Sequence, residues 1–438
     1  MPHSPSSESG HASAIADSPQ AKASHHGSLL VIFLTVFVDL LGFGLVIPLL
    51  PIYADQFATD PSGLQIGLLM AVFSLMQFIF APMWGSLSDR VGRRPVLMVG
   101  LAGSAIFYLL FAYATWKSSL WLLFVTRIGQ GITGATIPTA QAYIADSTSP
   151  ENRQKGMALI GMAFGLGFTL GPLFGFLAIS GEEAKPSLLP GLAAALLSAI
   201  AFLLAAVLLP ESLRPDSSSA SRRWINFDGL RAIRDTPSVI SLLFAIFVCV
   251  FSFAAFETTL SLLIKGTSEQ IESGETPFQF SFRAVCGTFA LIGFTLALIQ
   301  GGVVRPLSKR LPEVVLATGG AILEVIGFLL IVWAVNQASV PLLFAALFII
   351  VSGFSCMQPS LNSLLSRRTD PRKQGSVLGI GQSTNAMARI FGSAIGIPML
   401  KAWMALPFIF SAALMIAVAG LIMYSVRSGK DFAVEEAT

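Results

Sequence analysis

The chain has 438 residues, of which 54% are apolar and only 12% charged, with a formal net charge of +3. A soluble domain of ordinary composition carries about 25% charged residues to cover its surface. Half that share, with the apolar residues gathered into long runs, excludes a water-soluble globule and makes lipid the solvent.

The first 28 residues are rich in Ser, Ala, Gly and His and contain no apolar run. Such a segment buries too little surface to fold, so residues 1–28 are expected to be a disordered tail. The tail holds all four histidines, His3, His11, His25 and His26. It lacks the basic start and apolar centre of a signal peptide. His25 and His26 suffice for a weak metal contact, but a disordered tail accounts for them better, and no metal site is expected.

Beyond the tail, apolar runs of about 20 residues recur, long enough at 1.5 Å per residue to cross about 30 Å of hydrocarbon. They predict twelve transmembrane helices near 29–52, 64–87, 94–115, 119–145, 155–179, 188–209, 237–264, 284–304, 313–335, 340–365, 374–400 and 404–426. Most connectors are short and polar. Residues 210–236, with Ser217, Ser218, Ser219, Arg222 and Arg223, read as a linker between two six-helix bundles, 29–209 and 237–426. Residues 266–283 read as an exposed loop with Glu269, Glu272 and Glu275, and 427–438 as a second tail. Cys249, Cys286 and Cys356 all lie in apolar stretches. Their wide spacing gives neither a disulfide framework nor a metal set, so they read as small core residues.

Lys and Arg fall mainly on alternate connectors: Arg90, Arg93 and Arg94; Arg153 and Lys155; Arg222 and Arg223; Lys309 and Arg310; Arg367 and Arg368. The other side has Lys117, Lys185, Lys265, Arg283 and Lys401. This bias places both termini in the cytoplasm. The halves also echo each other. Leu87, Ser88, Asp89, Arg90 and Val91 follow the second span, and Leu307, Ser308, Lys309, Arg310 and Leu311 follow the eighth. Repeated bundles suit rocking about a site near the midplane.

Charge within a membrane is costly and calls for a reason. Asp39 lies in the first span, Arg127 in the fourth, Glu257 in the seventh, Glu324 in the ninth and Arg389 in the eleventh. No histidine lies within a span, so carboxylates would have to carry any proton. Asp39 near Arg127 is a candidate proton site, against a permanent structural ion pair. Glu257 and Glu324 are further candidates, and Glu324 and Arg389 serve equally well as helix-pairing groups. Polar stripes recur at helical spacing: Arg127, Gln130, Gly134 and Gln141; Ser355, Gln358 and Asn362; Gln382, Asn385 and Arg389. Such faces avoid lipid and either join helices or line a cavity; three of them in one chain favour the cavity, with Gln130, Gln358, Asn362, Gln382 and Asn385 as its expected lining. Aromatic residues such as Phe43, Phe73, Phe164 and Phe168 are available for an adaptable apolar pocket, though most aromatics in such spans face lipid or packing.

Gly85, Asp89, Arg90, Gly92, Arg93 and Arg94 stand at the spacing of a loop signature, and on them the chain resembles the major facilitator superfamily. The resemblance implies an all-α membrane protein of two pseudo-symmetric six-helix bundles. It places Asp89 at the start of the eleventh helix, near Gly375 and Ser376, and pairs Arg93 with Asp146 as a conformational switch. Leu123, Arg127, Gln130 and Gly131 are similar to the family's fourth-helix signature. Gly167, Gly171, Pro172 and Gly175 resemble a fifth-helix signature associated with exporters, where Gly and Pro permit close packing and a bend. Ala158 and Phe176 stand where that pattern has glycine, and Thr133 where the fourth-helix pattern does. Asp39, Gly42, Gly44, Pro48 and Pro51 resemble the start of twelve-helix drug/proton antiporters. With Ile132–Thr136 and Ala142–Asp146, they look most like the tetracycline/proton branch.

The reading implied is proton-coupled efflux of small amphipathic molecules by alternating access, in a bacterial inner membrane. A sugar or metabolite transporter of the same superfamily remains open, since Pro210, Glu211 and Ser212 are similar to a sugar-porter stretch. A non-transporting sensor remains open too. Expected partners are a small-molecule substrate, protons and the bilayer. No nucleic acid, ATP or cofactor is expected, and the protein is expected to be a monomer. No Walker loop, nucleophile elbow or metal cluster supports an enzyme.

Overall fold

A computed structural model describes residues 19–148, 153–179, 186–213, 237–274, 276–369 and 374–428. The expectations for residues 1–18, for the linker beyond Leu213 and for the tail from 429 lie outside the described residues.

All regular elements among the described residues are helical. The spans are Pro19–Val46, Leu64–Val91, Arg93–Trp116, Leu120–Thr133 with Ile137–Asp146, Arg153–Ala178, Leu189–Leu208, Pro237–Lys265, Phe282–Leu298, Glu313–Asn336, Val340–Arg367, Gln374–Ala402 and Leu406–Ser428. The first helix starts at Pro19, inside the stretch read as a disordered tail, although its apolar crossing begins at Leu29. Proline suits a first helical turn because the missing N–H needs no partner there. After a turn at 47–49, a short helix, Leu50–Phe57, continues the first span. The eighth span ends in a π-helical turn, Ile299–Val304. Between the seventh and eighth spans, the predicted loop contains a short helix, Ser268–Ser273, with a capping box on Thr267 and Gln270.

Among the described residues, ten helices are long and apolar enough to cross a membrane by length and composition. The fourth and eleventh spans are the exceptions. The fourth is divided into helices of 14 and 10 residues, each too short to cross alone, and the eleventh carries the polar stripe of Gln382, Asn385 and Arg389, which lowers its mean hydropathy.

The fourth span is not one continuous helix as the hydropathy suggested. It breaks between Thr133 and Ile137. Pro138 has no N–H to give the carbonyl four residues back, which is that of Gly134. The second span supplies the missing donors: Gln77 Nε2 donates to Gly134 O at 3.4 Å and Trp84 Nε1 to Ile132 O at 2.7 Å. A broken helix within a membrane needs such substitutes, because lipid offers none.

The packing pattern repeats between halves. In the first half, spans 1 and 5, 1 and 6, 3 and 6, 3 and 4, and 2 and 4 pack together; in the second, spans 7 and 11, 7 and 12, 9 and 12, 9 and 10, and 8 and 10 do. Each pair maps onto its partner by adding six. The halves meet where span 2 packs on span 11 and span 5 on span 8, and the same operation exchanges these two contacts. This is a major facilitator fold of two pseudo-symmetric bundles.

Close backbone approach fixes the first bundle. A Cβ added at Gly171 would lie 2.7 Å from Gly44 Cα and 2.9 Å from Leu41 O, so the first and fifth spans cross with no room for a side chain. The two halves touch at the end away from Arg90. A Cβ at Gly293 on span 8 would fall 2.6 Å from Thr169 Cα, and one at Gly175 would fall 3.2 Å from Cys286 Sγ. Cys249 and Cys286 are buried and Cys356 is half-buried, all as free thiols. Nearby, Arg283 lies over the Phe176 ring at 4.2 Å. Asp55, 6% exposed, joins the halves through Lys401 Nζ at 2.7 Å and accepts hydrogen bonds from Ser268 N and Oγ at 2.6 and 2.9 Å. In the connector to the second span, the hydroxyl and amide of Ser62 hold the Asp60 carboxyl below its usual range.

Candidate functional site

With that end shut, the helices diverge toward the end carrying Asp89 and Arg90 and enclose a cavity of about 1310 Å³. Spans 1 to 5 and the start of the linker form most of its wall, while the second half contributes only the eleventh span. At its depth lies Asp39, midway along the first span, where the Ser198 hydroxyl donates to Oδ1 at 3.0 Å and the Ser104 hydroxyl is also engaged.

Arg127 does not pair with Asp39. It lies behind the cavity wall, 3% exposed, with Nη1 donating to Gln130 Oε1 at 3.1 Å. Its guanidinium lies 4.2 Å from the Phe73 ring centre and 6.0 Å from that of Phe43. Phe43 in turn stacks on Phe73, at 4.9 Å between centroids. A desolvated arginine gains from such ring faces. Tyr108, 4% exposed, lies within electrostatic reach of both Asp39 and Arg127. This tyrosine escaped the sequence reading because an aromatic residue in an apolar span carries no charge signal.

The other intramembrane charges separate into two settings. Arg389 is exposed on the cavity wall, within electrostatic reach of Glu257. Glu324 does not line the cavity. It is fully buried in the second bundle where the ninth and tenth spans meet, against Gly353, and neither carboxylate oxygen has a hydrogen-bond partner.

The polar stripes divide as well. Gln130, Gly134 and Gln141 line the cavity, as do Gln382 and Arg389. Gln358, Asn362 and Asn385, expected there from their spacing, do not. The tenth span packs within its own bundle, against spans 7, 8 and 9. Asn385 lies about 100° around the helix from the centre of the face formed by Gln382, Ser383, Ala386 and Arg389. Spacing shows which residues share a face but not which way the face turns.

At the mouth, the loop signature folds into a charge network. Arg93 Nη1 donates to Asp89 Oδ1 and, at 2.7 Å, to Ser88 Oγ; Nε donates to Asp146 Oδ2 at 3.0 Å. Gly92 has φ of 107°, in the left-handed region that favours glycine. Glu211 then caps the third span, accepting from Arg93 N at 2.9 Å and Arg94 N at 3.1 Å. A carboxylate is favoured at a helix N-terminus. Arg94 reaches back to Ala206 O at 2.5 Å, Arg90 is exposed at the rim, and Gly85 lines the wall. The side chains at Gly375 and Ser376, expected near Asp89, lie outside the described residues. Glu211 and Asp55 are further residues that sequence reasoning left without a role. Their signal was an acid beside a basic cluster and an acid in an apolar helix.

The model of the Major Facilitator Superfamily matches residues 32–393 and 306–429. The class C tetracycline resistance protein of Escherichia coli is 33% identical over 397 residues, covering 89% of this chain and 94% of that protein. Major facilitator superfamily domain-containing protein 10 of Mus musculus is 32% identical over 424 residues, covering 85% and 87%. A crystal structure described as the human organic anion transporter MFSD10 (TETRAN) superposes with a TM-score of 0.65 at 28% identity, covering 91% of this chain and 99% of that one.

Proposed function

Because this chain belongs to the major facilitator superfamily, a family of transporters rather than enzymes, we propose that it exports small amphipathic molecules in exchange for protons. The observation that carries this reading is a cavity that reaches Asp39 from one end of the bundle while the other end is shut. The similarity to tetracycline resistance proteins supports efflux as the direction.

In this reading the basic end faces the cytoplasm of a bacterial inner membrane, as do both termini, and the cavity is open inward. The unit at work is a single chain without ATP, made of bundles 29–209 and 237–426 around the linker 210–236. Substrate enters from the cytoplasm and meets Asp39, and a proton later takes its place there. Ser198 and Ser104 fix the carboxylate, and Tyr108, within electrostatic reach of both, links it to Arg127, which Gln130 and Phe73 hold in place. Outward opening breaks the Asp55–Lys401 pair and closes the mouth, where Asp89, Arg93 and Asp146 act as the switch. Inward movement of one charge supplies about 2.3 kcal/mol per 100 mV of potential.

The test uses purified protein in liposomes with an imposed pH gradient and an internal pH dye. Tetracycline is added first, then neutral and cationic drugs. Drug-dependent collapse of the gradient, lost in Asp39→Asn, is the expected result. Folded protein that moves no proton with any drug overturns the reading in favour of sugar or metabolite transport.

A further inference from the structure

Inward of the mouth, where Arg90 stands exposed at the rim, Arg389 is a cavity charge without a partner. Among the described residues it makes no ion pair and no hydrogen bond, yet it stands exposed on the cavity face of the eleventh span beside Gln382 and Ser383. Glu257 is near enough to feel its charge but does not approach to ion-pair distance. The other intramembrane arginine, Arg127, is by contrast stacked, hydrogen-bonded and withdrawn from the cavity. A guanidinium offers five N–H donors in a fixed fork that matches a carboxylate or another planar oxyanion. Within a membrane such a charge is tolerated where it faces a water-filled cavity, and there it marks a substrate path; an anionic ligand group can take the place of its water.

Asp39 stands on the opposing half, also open to the cavity, with Ser198 and Ser104 as its hydrogen-bond donors. Away from the charges at its mouth, Asp89, Arg90, Arg93 and Asp146, the cavity therefore presents an acid on the first bundle and a base on the second. We infer that the cargo is an amphoteric molecule whose anionic group docks on Arg389 while its cationic or donor-rich end faces Asp39. This rests on the reading of Asp39 as the proton-exchange site and adds to it a selectivity element on the other half. A proton on Asp39 competes with the cationic end, so exchange follows. A purely anionic cargo would bind better with Asp39 protonated, and the two would move together. The Arg389 contact is indifferent to the proton and decides which cationic molecules are accepted.

The test measures equilibrium binding to the purified full chain by tryptophan fluorescence. The probes are tetracycline, ciprofloxacin (a piperazine cation and a carboxylate on one ring body), its methyl ester, which keeps only the cation, and its N-acetyl derivative, which keeps only the carboxylate. The wild type is expected to bind ciprofloxacin about tenfold more tightly than either derivative. Arg389→Gln is expected to lower ciprofloxacin affinity to that of the ester and leave the ester unchanged, with Arg389→Lys intermediate. The inference is overturned by a wild type that binds ester and acid alike, by an Arg389→Gln that weakens both equally, or by folded protein that binds neither zwitterion. The wild-type comparison stands even where the glutamine variant fails to fold. Loss of proton coupling as the sole failure, with acid and ester still distinguished through Arg389, would sink the exchange reading and leave the anion subsite.

Discussion

Two polar side chains define opposite limits of what a buried group needs. Trp84 is a satisfied donor, its indole N–H held at 2.7 Å by Ile132 O, which at the break in the fourth span keeps only a long backbone bond from Ala135 N at 3.4 Å. Replacing it by Phe removes this donor and leaves Ile132 O with only that long backbone bond. A stability loss of about 0.5–1.5 kcal/mol is expected, read as a lower melting temperature of the solubilised protein; an unchanged melting temperature would show that the break does not need the indole. Glu324 is the reverse, a fully buried carboxyl without a partner. Burying an unsatisfied polar group costs free energy, so Glu324→Met is expected to raise stability by about 1 kcal/mol or more. A fall in melting temperature would mean that Glu324 stabilises the fold through an interaction made in another conformation.

At the scale of helices, the first and fifth spans depend on Gly44 and Gly171 facing each other with no side chain between them. Gly171→Leu has to push the two spans apart, and overpacking of that kind costs about 1–3 kcal/mol. Reduced thermal stability, with Gly165→Leu as the control at a position where a Cβ meets nothing within 4 Å, is the measurement. The sequence carried most of this architecture, because lipid demands long apolar runs and any polar interruption stands out against them. The elements it hid share one cause. The break in the fourth span, the face that Asn385 presents and the place of Gln358 depend on how one helix is turned against its neighbours, and periodicity is silent on that rotation. Asp39 and Arg127 stood out through charge, but their separation and the place of Tyr108 within reach of both are properties of packing.

The whole molecule is a pair of bundles about a charged cavity, and under the proposed exchange its energetics depend on what crosses with each cycle. An amphoteric cargo of zero net charge exchanged for one proton moves one positive charge inward, worth about 2.3 kcal/mol per 100 mV. Export in liposomes is therefore expected to respond to a potassium–valinomycin potential even without a pH gradient. A rate indifferent to voltage would indicate a cargo of one net positive charge. The closed end is a second determinant. The Asp55–Lys401 pair is buried, and removing one partner of such a pair leaves the other charge uncompensated. Asp55→Asn is thus expected to favour the opposite conformation by about 1 kcal/mol or more, at least about fivefold in population.

That shift can be read without adding a probe. Cys286 is fully buried and faces Gly175 across the contact between spans 5 and 8. The proposed outward opening would separate these spans and wet the sulfur. With Cys249 and Cys356 replaced by Ala, a membrane-impermeant maleimide applied from outside becomes a stopwatch for the cycle. It should be slow on the resting protein, and faster in Asp55→Asn or when a cargo draws the protein outward. The native chain thus carries its own reporter of turnover, at a position that serves closure only as a packing atom.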